Sequence, residues 1–338
     1  MNDELSRDNL MQVFVEQAGF TEYTLHPLVV DASSRRYIRI ITKDISHVIM
    51  DLPPERGALD SYITISNFLT IQGYSSPKII KEDLENGFLL LEDLGDDIFN
   101  SLLSKFQDSS LEKEMYDEAV NILVNWCVDS SMQSTSSKIN LPTYANRDLL
   151  RGIKIFTEWC LPEIFPQDHQ TKALELLDIW ERILLAAPLV DSHFVHRDYH
   201  AGNLIWLKSR EGSARVGILD FQDAAWGDPI YDLVSLLQDA RHDISLGLVE
   251  SILKRYIDAT GQPLSLVQER YAILGAQRSI HIIGIFHRLN QRDNKGEYLR
   301  FLPRVWDHLQ NDLMHPALKE LKEWVDASIS GKKPYTTS

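Results

Sequence analysis

Cysteine is scarce in this chain: only Cys127 and Cys160 occur among 338 residues. Both lie in apolar, helix-like surroundings, where so sparse a pair indicates buried, reduced thiols rather than a disulfide framework or a cysteine-based metal site. The sequence also lacks an apolar run of about 18 residues, the length that a membrane-spanning helix needs. Its first residues are acidic and polar, unlike a signal peptide. These absences predict a cytoplasmic protein with no membrane partner.

Basic residues are outnumbered, because 34 Lys and Arg stand against 49 Asp and Glu and give a formal net charge of -15. That balance argues against a nucleic-acid-binding surface, although it leaves room for a local basic pocket. Hydrophobic residues make up 44% of the 338 positions, enough for a large core and for two lobes. The composition therefore predicts a globular protein that does not bind nucleic acid.

The hydrophobic pattern changes along the chain from a strand-like to a helix-like period. A first helix capped by Ser6 ends at Gly19, and a second is predicted over 59–71. Strands are predicted over 24–30, 37–42, 47–52, 77–81 and 88–91. Helices are predicted over 111–133, 147–159, 168–187, 229–240, 246–259, 265–290, 299–311 and 316–328. We therefore expect an α+β protein with a small antiparallel β N-lobe, residues 1–95, and a mainly helical C-lobe, residues 96–330.

Residues 194–223 form the segment that carries most of the chemistry. Two apolar segments, 204–207 and 216–219, flank Lys-Ser-Arg-Glu-Gly-Ser, whose Gly and Ser favour a turn. If the two segments pair antiparallel, Asn203 lies almost opposite Leu219. Asn203 and Asp220 then emerge side by side, and Asp198 lies in the loop just before them.

These three side chains fit phosphoryl transfer. Mg²⁺ bound to nucleotide phosphates takes one or two hard oxygen ligands from the protein, which Asn203 and Asp220 can supply. A carboxylate must orient the accepting hydroxyl and receive its proton, and that role falls to Asp198. Asp223 is a weaker candidate, for support of the metal site or for capping the segment before Trp226.

A zinc site is the alternative interpretation of His196, Asp198 and His200, because two His four residues apart on a helix can hold Zn²⁺. Strand-like runs bracket this segment, however, and Gly202 follows at once. We therefore interpret His196 as a residue that braces the loop, and His200 as pocket lining or a packing residue.

The segment Leu89–Gly95 is the predicted nucleotide hinge. An apolar strand that ends on exposed backbone, here at Glu92 and Leu94, offers a carbonyl acceptor and an N–H donor to an adenine edge, with apolar faces around them. An ordinary strand ending in a turn is the alternative. The position between a β-rich and a helical half favours the hinge.

The motifs resemble the aminoglycoside phosphotransferase superfamily, which has the protein-kinase-like fold. They are His-x-Asp-x-x-x-x-Asn at 196–203, Ile-Leu-Asp-Phe-Gln-Asp at 218–223 and Trp-Gly-Asp-Pro-Ile-Tyr-Asp-Leu at 226–233. The resemblance implies a bilobal kinase that uses ATP and Mg²⁺. It also implies that Asp232 braces the catalytic loop by hydrogen bonds.

Three further segments, 31–39, 48–54 and 277–289, resemble one branch of the superfamily, the bacterial anomeric kinases for N-acetylmuramate and N-acetylglucosamine of cell-wall recycling. The expected partner is therefore a small sugar. Sugar rings lie on aromatic faces and their hydroxyls need polar groups; the candidates are Trp226, Asp228, Gln277, Arg278 and Arg288. Arg278 is the first choice for the lactyl carboxylate of muramate and Arg147 the second. Each of these residues could instead be a satisfied polar group of an interior helix.

One departure from the kinase pattern lies in the N-lobe. The third strand reads His-Val-Ile-Met-Asp, residues 47–51, and lacks the Lys that normally pairs with a helix Glu and holds the phosphates. The N-lobe loop that reads Ala-Ser-Ser at residues 32–34 also lacks glycine. We expect Ser33 and Ser34 to cover the phosphates and Arg36 or Arg39 to supply the cation, because an Arg fork suits phosphate oxygens. The alternative is that these arginines solvate a strand edge.

Two other functions remain open at this point. One is an aminoglycoside kinase or a kinase for a small alcohol of the choline or homoserine type, and the acidic composition is compatible with a polycationic acceptor. The other is a catalytically silent nucleotide-binding scaffold, which the missing Lys makes conceivable. The sequence leaves open the acceptor, the hydroxyl, the choice between ATP and GTP, and the oligomeric state.

Overall fold

A computed structural model describes residues 6–28, 35–54, 59–106, 108–136 and 138–329. The chain divides into two compact units: unit 1 comprises Met1–Phe99 and Asn203–Asp223, and unit 2 comprises Asn100–Gly202 and Ala224–Ser338. The predicted boundary at residues 95 and 96 lies close to the end of the first segment of unit 1. A boundary at one point of the chain cannot assign residues 203–223 to unit 1.

The predicted antiparallel sheet is confirmed in unit 1. The strands of the chain are β1 Thr24–Leu28, β2 Arg36–Ile41, β3 Ser46–Asp51, β4 Ile79–Asp83, β5 Phe88–Glu92, β6 His193–Val195, β7 Leu204–Trp206, β8 Val216–Ile218 and β9 Ala225–Gly227. Five of them form the sheet in the order β1-β2-β3-β5-β4, and every neighbouring pair is antiparallel. The predicted strands therefore exist, with described ends that differ by at most two residues; residues 29 and 30 of the first predicted strand lie outside the described residues.

Strand β2 shows why one face of this sheet is covered. Ile38 and Ile40 are buried on the same side of the strand and pack with Phe14 and Val15 of the first helix. Successive side chains of a strand point to opposite faces, so Tyr37 lies on the other side. Burying one such side chain contributes about 1.5–3 kcal/mol relative to leaving it in water.

The hairpin of residues 203–223 has the predicted pairing. β7 and β8 are antiparallel, and Leu204 stands opposite Ile218. The N–H of Ile218 donates to the Ser75 carbonyl over 2.8 Å, and this bond ties the hairpin to the rest of unit 1.

Helices make up most of unit 2. The helices of the chain are α1 Arg7–Gln17, α2 Asp60–Ile71, α3 Phe99–Phe106, α4 Ser109–Val128, α5 Asn146–Trp159, α6 Leu161–Ile164, α7 His169–Ala186, α8 Ile230–Leu237, α9 Leu246–Thr260, α10 Leu264–Asp293, α11 Leu302–Asp312 and α12 Lys319–Ser328. The predicted helix over 299–311 begins only at Leu302, with Pro303 in its first turn, where the missing N–H of proline costs nothing. The described part of the chain contains no helix both long and apolar enough to cross a membrane.

Candidate active site

The loop after β6 begins with a strained residue that two hydrogen bonds hold. Arg197 has φ +74°, a left-handed conformation that is unusual for a residue other than glycine. The N–H groups of His196 and Arg197 donate to the two carboxylate oxygens of Asp232, over 2.6 and 2.8 Å. The N–H of Asp198 donates to Nδ1 of His196 over 3.2 Å. Asp232 and His196 thus make the contacts that bracing of this loop requires.

Asp232 is 1% exposed on α8. Burial raises its pKa to about 7, although the hydrogen bonds that it accepts from the two backbone N–H groups lower the pKa. These two hydrogen bonds therefore favour the ionised form of Asp232.

Asp198 has a hydrogen-bond donor close to each carboxylate oxygen. Nη2 of Arg278 donates to Oδ1 over 2.9 Å, and Nε2 of His200 lies 3.4 Å from Oδ2. Burial acts to raise the pKa of Asp198, but His200 and Arg278 outweigh it and hold the pKa well below its usual range. Asp198 is therefore an ionised acceptor, as a residue that orients a hydroxyl must be.

Arg278, on α10, contacts the catalytic loop that follows β6. Besides its bond to Asp198, its Nη1 donates to the Arg197 carbonyl over 3.0 Å. The neighbouring Gln277 donates from Nε2 to the Leu149 carbonyl over 2.8 Å. Both residues were predicted to bind the acceptor, and both have partners inside unit 2.

The other acceptor candidates differ in their surroundings. Trp226 is 5% exposed and its ring packs edge-on to Phe194, which favours a packing role. Asp228 accepts from the N–H groups of Val190 and Ile230 over 3.1 and 3.0 Å. Arg288 is half-buried, and its Nε has no hydrogen-bond partner among the described residues.

A cavity of about 360 Å³ opens within unit 2. Tyr144 and Tyr231 contribute aromatic surface, while Arg147 and Asp228 contribute charge. Its volume lies in the range of small-molecule sites. Of the predicted acceptor residues, only Asp228 and the second choice Arg147 line it.

In unit 1, the hairpin brings the predicted metal ligands to neighbouring positions. The N–H of Leu219 donates to the Asn203 carbonyl over 2.9 Å, which confirms that Asn203 lies opposite Leu219. Asp220 follows with φ +57°, and its side chain is 48% exposed. Asp198 belongs to unit 2, so its approach to these two residues remains a prediction.

The donor set of Asn203 and Asp220 fits Mg²⁺. Both side chains offer hard oxygens, and Gln222 donates from Nε2 to Oδ1 of Asp220 over 2.9 Å, which leaves Oδ2 for an ion. Nε2 of Gln222 also lies 3.4 Å from the Asp223 carboxylate. Among the described residues, no group of three or more His, Cys, Asp or Glu side chains is placed to hold a metal. Residues 196–200 form no helix, so the helical spacing on which the zinc alternative depends is not present.

The two arginines predicted for the phosphates are held by carboxylates of unit 1. Arg36 donates to the fully buried Asp51, its cross-strand partner, over 2.6 and 2.8 Å. Arg39 donates to Asp93 over 3.0 Å and to Asp96 over 2.9 Å. These ion pairs favour the structural alternative for both guanidinium groups.

Arg35 is the residue that the sequence interpretation missed. Its Nη1 lies 3.9 Å from Oδ1 of Asp220, and its side chain is 18% exposed. Arg36 shares the face of Ile38 and Ile40, so strand alternation directs the preceding residue to the opposite face. Alternation would place Arg35 on the face of Arg39, so the distance to Asp220 is what distinguishes Arg35.

The hinge residues lie at the end of β5 in unit 1. The N–H of Glu92 donates to the Lys78 carbonyl over 2.8 Å, so an adenine edge would need other backbone groups of the segment. The side chain of Leu94 packs against Gly217 and provides apolar surface there. Ser33 and Ser34 lie outside the described residues.

The antiparallel sheet, the helical unit and the braced His-x-Asp loop together define a phosphotransferase of the kinase-like class. A profile of the phosphotransferase enzyme family matches residues 24–266. The chain belongs to this family.

Relatives and solved structures agree with that assignment. The chain is 35% identical to the N-acetylmuramate/N-acetylglucosamine kinase of Caulobacter vibrioides, over 96% of this chain and 97% of the relative. It is 32% identical to the protein of the same name from Pseudomonas aeruginosa, over 88% and 87%. The fold is similar to choline kinase LicA from Streptococcus pneumoniae, with a TM-score of 0.62 at 15% identity, covering 89% and 99% of the two chains. It is also similar to ADP-bound aminoglycoside phosphotransferase APH(2'')-Ib, with a TM-score of 0.58 at 15% identity over 91% and 99%. The predicted α+β kinase-like fold is confirmed.

Proposed function

We propose that this protein is an ATP- and Mg²⁺-dependent sugar kinase of the cytoplasm. It transfers the γ-phosphoryl group to the anomeric hydroxyl of N-acetylmuramate or N-acetylglucosamine released from peptidoglycan. The observation that carries the proposal is the Asp198 carboxylate, which Arg278 holds at 2.9 Å in a loop of the kinase pattern. The names of the relatives that match nearly the whole chain support the choice of acceptor.

Catalysis is positioning combined with charge neutralisation. Asp198 orients the sugar hydroxyl and accepts its proton. Asn203 and Asp220 hold Mg²⁺, which when bound neutralises charge on the transferred phosphoryl group.

The weak basicity of Asp198 favours an anomeric hydroxyl as the accepting group. Because Arg278 and His200 stabilise its charge, this carboxylate is a weak base. A hemiacetal hydroxyl is more acidic than an ordinary alcohol and gives up its proton to a weaker base. The pairing therefore favours the anomeric position over the other hydroxyls of the sugar.

Arg35 is the proposed cation for the nucleotide phosphates. It lies on the same side of unit 1 as the proposed metal ligand Asp220, at 3.9 Å, whereas Arg36 is engaged by Asp51. Replacing Arg35 by Ala should raise the ATP KM at least tenfold, and Arg39→Ala, the matched control, should change it less. Equal effects of the two substitutions would contradict this assignment.

Arg288 is the proposed partner of the lactyl carboxylate of N-acetylmuramate, because Arg278 is engaged by Asp198. Arg292, one turn further along α10, is bound to Asp293 and is the matched control. Arg288→Gln should raise the KM for N-acetylmuramate and leave that for N-acetylglucosamine nearly unchanged. If the KM values for both sugars rise together, Arg288 does not bind the lactyl carboxylate.

The decisive experiment is a transfer assay with γ-labelled ATP and a panel of acceptors. Both amino sugars should be labelled, and the methyl glycoside of N-acetylglucosamine, which has no free anomeric hydroxyl, should not. Labelling of the methyl glycoside would overturn the anomeric assignment. Labelling of an aminoglycoside or choline alone would support the alternative kinases, and nucleotide binding without any transfer would support the silent scaffold.

A further inference from the structure

We infer that Arg278 is a positioning residue that fixes the Asp198 carboxylate relative to the catalytic loop. The inference rests on the proposed function, in which Asp198 orients the accepting hydroxyl. It assigns Arg278 to the base rather than to the acceptor.

One guanidinium joins the side chain of Asp198 to the backbone just before it. Nη2 of Arg278 donates to Oδ1 of Asp198 over 2.9 Å, and Nη1 donates to the Arg197 carbonyl over 3.0 Å. Because the guanidinium is planar and rigid, the two bonds set the carboxylate in one orientation to the peptide.

Arg197 itself is held from its other side by Asp232 of α8. The N–H of Arg197 donates to Asp232 over 2.8 Å, while its carbonyl accepts from Arg278. Arg197 has φ +74°, a conformation that costs about 1–3 kcal/mol and persists only where the surroundings enforce it. Arg278 and Asp232 therefore fix this residue from both sides, and the direction of Asp198 depends on them.

The buried surroundings of Arg278 favour its ion pair with Asp198. Arg278 is 8% exposed, and its Nη1 also lies 3.5 Å from the hydroxyl of Tyr231. A buried guanidinium is costly unless a carboxylate and hydrogen bonds compensate it. Asp198 is the carboxylate that compensates it, so each residue stabilises the charge of the other.

Other charged or titratable groups also face this pair, but they do not substitute for Arg278. His200 contacts the second oxygen of Asp198 at 3.4 Å and lies 3.9 Å from Asp239. His281 lies on the same helix as Arg278, three residues further on. Arg278 joins Oδ1 of Asp198 to the Arg197 carbonyl, whereas His200 contacts the other carboxylate oxygen.

The test compares Arg278→Met and Arg278→Lys with a matched control, Arg304→Met. Arg304 likewise donates to one backbone carbonyl, of Ala240, over 2.6 Å and to one carboxylate, of Asp243. Arg278→Met should lower kcat about 10- to 100-fold, the cost of a reacting group misplaced by about 1 Å, with less than a threefold change in the ATP KM. Arg278→Lys should recover part of the loss, because an ammonium keeps the charge but not the fork.

A double-mutant cycle separates positioning from stability. If Arg278 acts through Asp198, adding Arg278→Met to Asp198→Asn should lower kcat less than twofold further. An equally large additional loss, or an equal loss in Arg304→Met, would overturn the inference. So would an unchanged kcat in folded Arg278→Met. Absence of sugar phosphorylation by the wild type would instead reject the proposed function.

Discussion

Asp198 is the residue at which substitution should affect chemistry most. Its replacement by Asn keeps the size and one oxygen, but an amide cannot accept a proton. Asp198→Asn should lower kcat for sugar phosphorylation by about 10²- to 10⁴-fold, the usual contribution of general-base catalysis. Initial rates with labelled ATP, at sugar concentrations above the KM, measure the effect.

The control for this substitution is Asp258→Asn. Asp258 is an exposed carboxylate of α9 that pairs with Lys254 over 2.7 Å. Circular dichroism and the melting temperature should match the wild type in both variants. Near-full turnover of a correctly folded Asp198→Asn protein would show that another group orients the hydroxyl.

His281 makes the stability of the protein sensitive to acid. Burial and the nearby guanidinium groups of Arg278, Arg197 and Arg288 lower its pKa from 6.5 to about 4. Between these two values the folded chain binds fewer protons at this residue than the unfolded chain. Stability from His281 is therefore present above pH 6.5 and is lost as the pH falls towards 4.

His281→Gln should consequently lose less stability than the wild type when the pH falls from 7 to 5. Urea unfolding at the two pH values measures the difference. Asp232, whose pKa is raised to about 7, contributes the opposite slope, so only the difference between variant and wild type isolates His281. The exposed His26 provides the matched substitution, His26→Gln, and both variants are unfolded at the same two pH values.

At the residue scale, the sequence predicts best the residues whose positions a local motif fixes. Asn203 and Asp220 follow from the hairpin pairing, and the spacing from Asp198 to Asn203 is a short-range pattern. The bond from Arg278 to Asp198 joins residues 80 positions apart, and no periodicity encodes that contact. Arg35 shares its face with Arg39, and only its distance to Asp220, 185 positions later in the chain, distinguishes it.

At the scale of elements, prediction was best where the hydrophobic period was long and capped. Helix α1 begins directly after its N-cap residue Ser6, and α10 extends only a few residues beyond its predicted C-terminal end. The short α6, with four residues, and β9, with three, were not predicted. Elements this short have too few residues for a hydrophobic period to be recognised. Strand β9 is stabilised by its antiparallel pairing with β6.

The contact between α5 and α10 depends on a glycine. A methyl group added at Gly284 would lie 2.5 Å from the backbone nitrogen of Phe156 and 2.8 Å from the carbonyl carbon of Ile155. Backbone atoms cannot rotate away, so the helices would have to separate. Gly284→Ala should therefore destabilise the protein by about 1–3 kcal/mol, as overpacking does.

Gly247→Ala is the control for that substitution. Gly247 lies in the first turn of α9, where an added methyl group would meet nothing within 4 Å. Alanine is the better helix former by roughly 1 kcal/mol in a helix interior, so this variant should be neutral or slightly stabilised. Denaturant midpoints of both variants test the pair. A neutral Gly284→Ala would show that α5 and α10 can move apart without loss.

At the scale of the whole molecule, the order of elements along the chain predicted the fold class but not the membership of the units. Residues 203–223 follow about a hundred residues of unit 2, yet they belong to unit 1. Bonds such as those from the Ile218 N–H to the Ser75 carbonyl and from the Trp206 N–H to the Asp97 carbonyl link them to unit 1. Such a contact between distant segments leaves no trace in local composition, so a division at residues 95 and 96 was the most that the sequence offered.

Binding of magnesium and nucleotide should be visible in the stability of the whole protein. A ligand that binds only the folded state stabilises it by about 2.7 kcal/mol at 100 times its Kd. A non-hydrolysable ATP analogue should therefore raise the melting temperature, and Mg²⁺ should raise it further. Asp220→Asn should remove most of the magnesium-dependent increase and retain the increase due to nucleotide alone, because the amide lacks the negative charge of the carboxylate and keeps only one of its two oxygens. Asp198→Asn should retain both increases, since its proposed partner is the acceptor. A full magnesium-dependent increase in Asp220→Asn would contradict the metal assignment, whatever the turnover of that variant.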